Sequence, residues 1–342
     1  MTDSFHEHPS IDVHVHVHPD RAAELADIME ANHLSQVVNL GILEGLGIPF
    51  EEGMRAYRKV LGERMVYFST PDFADTSPGF GERMAKDLEC KVEAGACGLK
   101  IFKELGLRHK DGAGDLIPVD DPRLDPLWAR AGELGVPVLI HTADPVAFFQ
   151  PLDEAQEDLR SNERWDELQR HPDWHFGAPE FPGHDTLLAQ RNRVIEHHPA
   201  TTFIGAHLGN YPENLSYVDA CLDRYSNFHV DTCARIGEIG RHPVEEARAF
   251  FLKHQDRVLF GTDLVLGWDA FGEGEAEEED AAEFKRFYDA HWRFFETDER
   301  QIEYPGFPIQ GRWKVDAIDL PEDVLEKLYV KNARRLIPGL QR

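Results

Sequence analysis

Residues 11–20 read IDVHVHVHPD and place histidines at alternate positions of a short apolar run. Side chains two residues apart on a β-strand point to the same face of the sheet. His14 and His16 are therefore expected to share one face, with the valines on the other. Two buried imidazoles are costly unless their ring nitrogens are satisfied, and neutral imidazole is a good ligand for Zn²⁺ and related cations. The opening strand thus predicts that His14 and His16 bind a divalent metal.

Seven further apolar runs follow and alternate with segments of helical periodicity. The eight predicted strands are 11–17, 35–41, 65–70, 97–103, 137–143, 202–208, 228–234 and 258–264. This alternation predicts a parallel sheet with helices on its outer face, and eight units predict closure into an α/β (β/α)8 TIM barrel. A barrel needs about 250 residues and tolerates insertions, so residues 1–342 are interpreted as one domain.

Two connections are too long for ordinary barrel loops. They cover residues 144–200 after the fifth strand and 265–318 after the eighth. Both leave the carboxyl end of a strand, which is the face where barrel enzymes keep their active sites. We expect both insertions to form caps over the site, and we interpret the acidic stretch EGEAEEED at 273–280 as a solvated loop.

Polar residues end three of the later strands, in the stretches VLIHTA, FIGAHLG and VLFGTD. These residues are His141, His207 and Asp263. Because the carboxyl ends of barrel strands meet at one face, we expect them to converge with His14 and His16. Gly205 and Gly261 stand two positions before His207 and Asp263, where small residues are expected to leave room inside the barrel.

An HxH pair followed by His, His and Asp on strands one, five, six and eight resembles the amidohydrolase superfamily. The stretches IDVHVHVHP, HTADP, GAHLGN, FGTD and DVLEKLYVKNARRLIP resemble its amidohydrolase-related branch, which includes mononuclear-zinc decarboxylases, lactonases and related hydrolases. The resemblance spans Ile11 to Pro338. It implies that His14, His16, His141 and Asp263 are the metal ligands and that His207 is a catalytic or second-metal histidine.

The resemblance also implies one metal ion rather than two. The mixed set of histidines and a carboxylate favours Zn²⁺, with Mn, Co or Fe as alternatives. Such an ion lowers the pKa of a bound water from about 16 to about 7. Asp263 would act as general base and proton shuttle, and His207 would polarise the reacting carbonyl or stabilise an oxyanion.

Four further residues are candidates for the site. Lys100, in GLKIFK on strand four, matches in order the lysine that bridges two metals in binuclear superfamily members. It could instead bind a substrate carboxylate or form a salt bridge. Arg235, in DTCARI, is a candidate clamp for a substrate carboxylate, with an ion pair to an acidic side chain as the alternative. Asp231 and Cys233 share parity near the end of strand seven and are candidates to line the pocket.

These features predict a metal-dependent hydrolase that uses metal-activated water on a C–O or C–N bond of a small lactone, ester or amide. The first alternative is a metal-dependent, non-oxidative decarboxylase or other lyase on the same scaffold. The second is a barrel that binds a metal or ligand without turnover. Fold analogy does not separate these alternatives.

The bulk composition restricts the partners. A net charge of −27 argues against nucleic acids and anionic membrane surfaces as partners. The sequence contains no apolar run of 18 or more residues, so no membrane-spanning helix is predicted. The polar start MTDSFHEHPS lacks the features of a signal peptide, so we expect a cytoplasmic enzyme with a small-molecule substrate, and a homo-oligomer remains open. The four cysteines form no CxxC pair and are interpreted as reduced core residues.

Overall fold

The computed structural model describes residues 8–151, 168, 171–267, 281–304 and 313–340. Its strands form one parallel sheet in which the first eight strands pair with one another in chain order and the ninth pairs with the first. They are β1 (Ser10–Val17), β2 (Leu34–Leu40), β3 (Met65–Ser69), β4 (Gly98–Ile101), β5 (Val138–Ile140), β6 (Phe203–Gly205), β7 (Phe228–Asp231), β8 (Val258–Leu259) and β9 (Leu264–Leu266).

The predicted eighth strand, 258–264, begins with the short strand β8 and ends where a second short strand, β9, begins. β8 pairs with β7 and β9 pairs with β1, so the chain between them closes the sheet into a barrel. Two backbone hydrogen bonds hold this break against β1: the Val13 amide donates to the Phe260 carbonyl at 3.0 Å, and the Asp263 amide donates to the His14 carbonyl at 2.9 Å. The predicted eight-unit TIM barrel is thus confirmed.

The longer helices surround the barrel in chain order. They are α1 (Ala22–Ala31), α2 (Phe50–Leu61), α3 (Phe80–Glu93), α4 (Asp125–Leu134), α5 (His184–His197), α6 (Leu215–Arg224), α7 (Val244–Lys253) and α8 (Ala281–Glu296). Shorter helical segments are Pro19–Arg21, Ile42–Gly45, Glu104–Leu107, Pro122–Leu124, Val146–Phe149, Pro172–Trp174, Ala206–Gly209 and Ile236–Ile239, and the segments Glu322–Glu326, Lys327–Lys331 and Asn332–Leu336 run consecutively. Within the described residues, none of the helices combines the length and apolarity that a membrane span requires.

The barrel interior is apolar at its amino end and polar at its carboxyl end. Its apolar layer consists mainly of inward-facing strand residues, which are Ile11, Val13, Val38, Leu40, Val66, Phe68, Leu139, Ile204 and Leu259. Ala333, Ile337 and Leu340 from the end of the chain pack on the same layer. Because the interior is filled from this end, the polar strand ends are collected at the opposite face.

Strand β1 contains a β-bulge, which corrects the alternation predicted from its sequence. β1 advances three residues from Asp12 to Val15 while its partner β2 advances two, as an inserted residue requires. Val13 consequently faces the barrel interior, whereas Val15 packs in the layer between sheet and helices. The prediction that the valines share the outer face is wrong for Val13, while the bulge turns both His14 and His16 inward.

Both predicted insertions contain a barrel helix. α5 occupies the second half of 144–200 and buries its apolar face, and residues 152–167 and 169–170 lie outside the described residues. In 265–318, α8 packs on the barrel wall, because Trp292 stacks on Phe260 at 4.8 Å between ring centroids. α8 is therefore the eighth barrel helix rather than part of a cap. The acidic stretch 273–280 lies outside the described residues.

Candidate metal centre

The strand ends bring five predicted side chains to one point. Nε2 of His14 lies 3.3 Å from Oδ1 of Asp263, and Nε2 of His16 lies 3.5 Å from the same oxygen. Nδ1 of His141 lies 3.3 Å from Nε2 of His207. The His14 and His207 rings are 5.4 Å apart between centroids. The four imidazoles and the carboxylate therefore form one cluster at the carboxyl end of the barrel.

Hydrogen bonds fix which nitrogen of the first two histidines faces the cluster. Nδ1 of His14 donates to Oδ2 of Asp231 at 2.8 Å, and Nδ1 of His16 donates to the carbonyl of Leu40 at 2.9 Å. Both acceptors require the proton on Nδ1, so each Nε2 presents a lone pair toward Asp263. This arrangement of an oriented imidazole with its second nitrogen bound to oxygen is typical of metal-binding histidines.

The other two histidines are oriented in the same way. Nδ1 of His207 donates to the carbonyl of Cys233 at 3.1 Å, and Nε2 of His141 donates to Oδ1 of Asp144 at 3.3 Å. Although burial alone would raise the pKa of Asp144, the Lys103 ammonium at 2.5 Å and His141 hold it below its usual range. The remaining nitrogens of His141 and His207 face each other as two lone pairs, which repel unless a cation lies near them.

The imidazoles are neutral at physiological pH. Burial lowers the pKa of His16 to about 3 and that of His141 to about 4, and it lowers the pKa of His14 and His207 well below the usual value. The nearby Lys100 ammonium acts in the same direction on all four. Neutral imidazole is the form that coordinates metals.

His207 lies in a left-handed turn rather than on strand β6. Residues 207–210 all have positive φ, with values of 55°, 52°, 65° and 58°. A left-handed backbone costs about 1–2 kcal/mol for each non-glycine residue, so the turn needs support. The His207 amide donates to Oδ1 of Asp231 at 2.8 Å, and Arg191 donates to the carbonyl of Gly209. His184 also hydrogen-bonds to the carbonyl of Asn210 at 3.0 Å.

The two glycines expected to make room for the cluster behave differently. A Cβ on Gly261 would lie 3.0 Å from Cβ of His14, so this glycine does leave space inside the barrel for an imidazole. A Cβ on Gly205 would instead meet the Phe228 ring at 2.6 Å in the outer layer. The prediction for Gly205 is wrong because the left-handed turn, and not the strand pleat, directs His207.

Sequence reasoning did not identify Asp12 as part of the site. Its buried carboxylate accepts the amide of His14 at 3.0 Å, the Thr262 amide at 3.1 Å, the Thr262 hydroxyl at 2.5 Å and the Tyr288 hydroxyl at 2.8 Å. Burial raises its pKa to about 7 in spite of these donors. Asp12 thus ties the bulge of β1 to the residue before Asp263. Its position two residues before His14 was the available signal, but the bulge hid its direction.

Asp231 was predicted only to line the pocket, yet it supports two histidines. Its carboxylate accepts Nδ1 of His14 and the amides of His207 and Cys233, the last at 3.3 Å. Burial raises the pKa of Asp231, and Lys100 opposes that shift.

Lys100 lies beneath the histidines and is fully buried. Its Nζ is 3.2 Å from Nε2 of His14 and 5.0 Å from the centre of the Phe102 ring. Burial lowers its pKa, although Asp263 partly opposes that effect. Lys100 is not among the residues that line the adjoining cavity, and its contact with a substrate stays a prediction.

A cavity of about 1270 Å³ opens above the cluster. His14, His16, His141, His207, Asp263 and Arg235 line one part of it, and Phe73, Phe102, Phe148 and Trp174 line another. The Arg235 guanidinium donates to the carbonyl of Ala234 at 2.6 Å. No carboxylate of the described residues forms an ion pair with it, but its charge opposes the increase that burial causes in the pKa of Glu213.

The donor set fits a divalent cation. Ligand atoms of His14, His207, Cys233 and Asp263 all lie within 4.8 Å of one another, and the inward nitrogens of His16 and His141 adjoin them. Neutral imidazoles and a carboxylate suit Zn²⁺ and neighbouring transition metals. A cation there would be favourable, because lone pairs of several imidazole nitrogens converge at the cluster.

Structural comparison places the fold among known barrels. A 2,6-dihydroxybenzoate decarboxylase from Rhizobium is 17% identical, with a TM-score of 0.52 over 96% of this chain and 98% of that one. A dihydroxybenzoic acid decarboxylase from a Polaromonas species, solved with manganese and 2-nitroresorcinol, is 14% identical, with a TM-score of 0.54 over 96% and 97%. A probable 2-pyrone-4,6-dicarboxylic acid hydrolase from Acinetobacter baumannii, solved with citric acid, is 10% identical, with a TM-score of 0.50 over 96% and 99%.

Sequence comparison assigns the family. No curated protein matches the chain significantly. The family model described as amidohydrolase matches residues 69–339, which is most of the chain. The barrel, its cluster of histidines and this match agree, and the protein belongs to the amidohydrolase family.

Proposed function

We propose that this amidohydrolase binds one Zn²⁺ ion through His14, His16, His141 and Asp263. The observation that carries the proposal is the common orientation of these histidines, each with one ring nitrogen bound to oxygen and the other directed at the cluster. His207 presents its Nε2 to the same point. The manganese in the Polaromonas decarboxylase supports a divalent cation on this fold and makes Mn²⁺ the main alternative.

We propose hydrolysis of a C–O or C–N bond in a small carboxylated substrate as the reaction. When bound, the cation supplies Lewis acidity and lowers the pKa of a coordinated water. The Asp263 side chain is 17% exposed, so water from the cavity reaches its carboxylate, which can take up a proton as general base. Neutral His207 presents the lone pair of Nε2 to the cluster, where it can accept a hydrogen bond or a proton. Arg235 binds the substrate carboxylate.

Non-oxidative decarboxylation is the second candidate, and the cavity wall favours it. The aromatic rings of Phe102, Phe148 and Trp174 line the same cavity as Arg235, which suits a planar carboxylated ring. Two of the compared structures are decarboxylases named for dihydroxybenzoates. In this reaction Asp263, after taking up a proton from cavity water, would deliver that proton to the ring carbon as carbon dioxide leaves.

One assay separates the two reactions. Metal-free protein is reconstituted with Zn²⁺ or Mn²⁺ and given aryl lactones, esters and amides that carry a carboxylate, together with hydroxybenzoates, in ¹⁸O-labelled water. Hydrolysis predicts ¹⁸O in the product without release of carbon dioxide, whereas decarboxylation predicts carbon dioxide and an unlabelled product. The control is Asp263→Asn, which should abolish turnover of either kind.

A metal titration tests the proposed cation site separately from the reaction. If the dialysed protein bound neither Zn²⁺ nor Mn²⁺ when titrated, the proposed enzyme would be excluded, and a barrel that binds ligands without turnover would remain. Arg235→Ala tests the substrate class independently: binding of benzoate, measured by calorimetry on the reconstituted protein, should weaken by about tenfold or more, the loss expected for a charge-assisted pair.

A further inference from the structure

Cys233 lies inside the barrel among the groups of the metal centre. It follows β7, its side chain is fully buried, and it belongs to the inner layer of the barrel. Gly261 on the neighbouring strand segment has no side chain, and a Cβ there would lie 3.4 Å from Cβ of Cys233 and 3.0 Å from Cβ of His14. The glycine therefore leaves the thiol and the imidazole in a shared space.

The thiol is within coordinating range of three other ligand groups. Sγ of Cys233 lies 3.1 Å from Nδ1 of His207. Together with ligand atoms of His14 and Asp263, these two groups form a set in which every pair lies within 4.8 Å. Ligands of a tetrahedral Zn²⁺ ion are separated by about 3.5 Å, given metal bonds of about 2.0–2.3 Å, so small side-chain movements suffice to close this set around an ion.

The set that contains Cys233 differs in chemistry from the position proposed above, whose ligands are three histidines and one carboxylate. It contains two nitrogens, one oxygen and one sulfur, and thiolate sulfur selects softer cations such as Zn²⁺ and Cd²⁺ over Mn²⁺. His14 and Asp263 belong to both sets, so an ion can gain the sulfur without leaving them. A buried cysteine often only fills space in the core. Such a role does not explain why ligand atoms of three other residues lie within 4.8 Å of this sulfur.

We propose that Cys233 is a further metal ligand of this centre, where its thiolate joins His14 and Asp263, the two ligands common to both sets, and makes the centre prefer soft divalent cations. This inference rests on the proposed function, because it requires a cation at the cluster. It assigns to Cys233 a bond to the ion in place of its present hydrogen-bond contact with His207, with the thiol proton released to solvent as the Sγ–metal bond forms.

Cobalt provides a readout that is independent of activity. Metal-free protein is titrated with Co²⁺; visible d–d bands report that the ion binds, and a near-ultraviolet sulfur-to-cobalt charge-transfer band reports that sulfur is a ligand. We expect both signals in the wild type. In Cys233→Ser we expect the d–d bands without the charge-transfer band. Cys221→Ser is the matched control, since Cys221 is also buried but packs in the outer layer, and it should keep both signals.

Each outcome decides a different point. Visible bands without a charge-transfer band in the wild type, or a charge-transfer band that survives in Cys233→Ser, would overturn the thiolate ligand while leaving the proposed metal enzyme intact. Absence of both signals in the wild type would overturn the proposed function as well. Should Cys233→Ser not fold, the ¹¹³Cd chemical shift of the cadmium-loaded wild type decides instead: a value without the downfield shift of sulfur ligation rejects the proposal.

The preference of the centre for Cd²⁺ over Mn²⁺ gives a second test of Cys233 as a ligand. The ratio of Mn²⁺ to Cd²⁺ dissociation constants should fall by about tenfold or more in Cys233→Ser, because loss of the soft ligand weakens Cd²⁺ binding and leaves Mn²⁺ binding nearly unchanged. An unchanged ratio would contradict a bond between the ion and sulfur.

Discussion

Asp231→Asn is the substitution that most sharply tests how the histidines are prepared for a metal. The carboxylate accepts three N–H groups, from Nδ1 of His14 and from the amides of His207 and Cys233. Asparagine has one side-chain oxygen, and its amide nitrogen accepts no hydrogen bond. If the oxygen keeps the two backbone amides, the NH2 group faces His14 and favours the tautomer protonated on Nε2, the nitrogen that points to Asp263.

The expected effect on metal binding follows from that change of tautomer. Removing the group that orients a metal-binding histidine typically costs 10–100-fold in affinity, which corresponds to about 1.4–2.7 kcal/mol. The free energy of unfolding of the metal-free protein should change by less than about 1 kcal/mol, because the neutral amide avoids the cost of a buried carboxylate and so offsets the lost charge-assisted hydrogen bond.

A chelator competition measures the first quantity and chemical denaturation of the dialysed protein measures the second. Asp27→Asn, on the exposed face of α1, is the matched control and should change neither. Binding of Zn²⁺ by Asp231→Asn within about twofold of the wild type, or a loss of several kcal/mol of stability in its metal-free form, would refute the orienting role of Asp231.

Three further predictions concern other parts of the molecule. Asp12→Asn should lower the free energy of unfolding by about 1–3 kcal/mol and Tyr288→Phe by about 1 kcal/mol, as measured in urea; equal effects would contradict the role of Asp12 as a shared acceptor. Burial lowers the pKa of His291 to about 4, so the unfolded state binds more protons below pH 6.5 and stability falls between pH 6.5 and 4, by up to about 3 kcal/mol for this residue. His291→Gln should flatten that pH dependence, and parallel curves would exclude the assignment. Asp263→Ala should abolish metal-dependent turnover with an unchanged circular dichroism spectrum, and wild-type turnover would remove its role as base.

The fold could be predicted because its signal is repeated. Eight apolar runs separated by helical segments specify the order of strands and helices, and parallel pairing follows from that order. The break between β8 and β9 could not be predicted, because it depends on the hydrogen bonds that Asp12 makes to Thr262 across the barrel. The helical pattern of α8 was visible, but its place on the wall depends on stacking with Phe260.

At the site, the two-residue alternation of side chains along a β-strand does not predict every side-chain direction. His14 and His16 face the interior as the alternation predicted, yet Val13 does so too, because the bulge shifts the pleat by one residue. His207 reaches the cluster through a left-handed turn that its sequence does not announce. Roles that depend on one particular hydrogen bond, such as that of Asp231 toward His14, require coordinates, since residue type and spacing leave the partner open.

Anomalous X-ray scattering from a crystal of the protein grown with Zn²⁺ tests the convergence of the histidines most directly. We predict a peak at the zinc edge within about 2.0–2.3 Å of Nε2 of His14, Nε2 of His16, Nδ1 of His141 and a carboxylate oxygen of Asp263. A crystal without a peak at this position, or with the ion bound away from these atoms, would contradict this prediction.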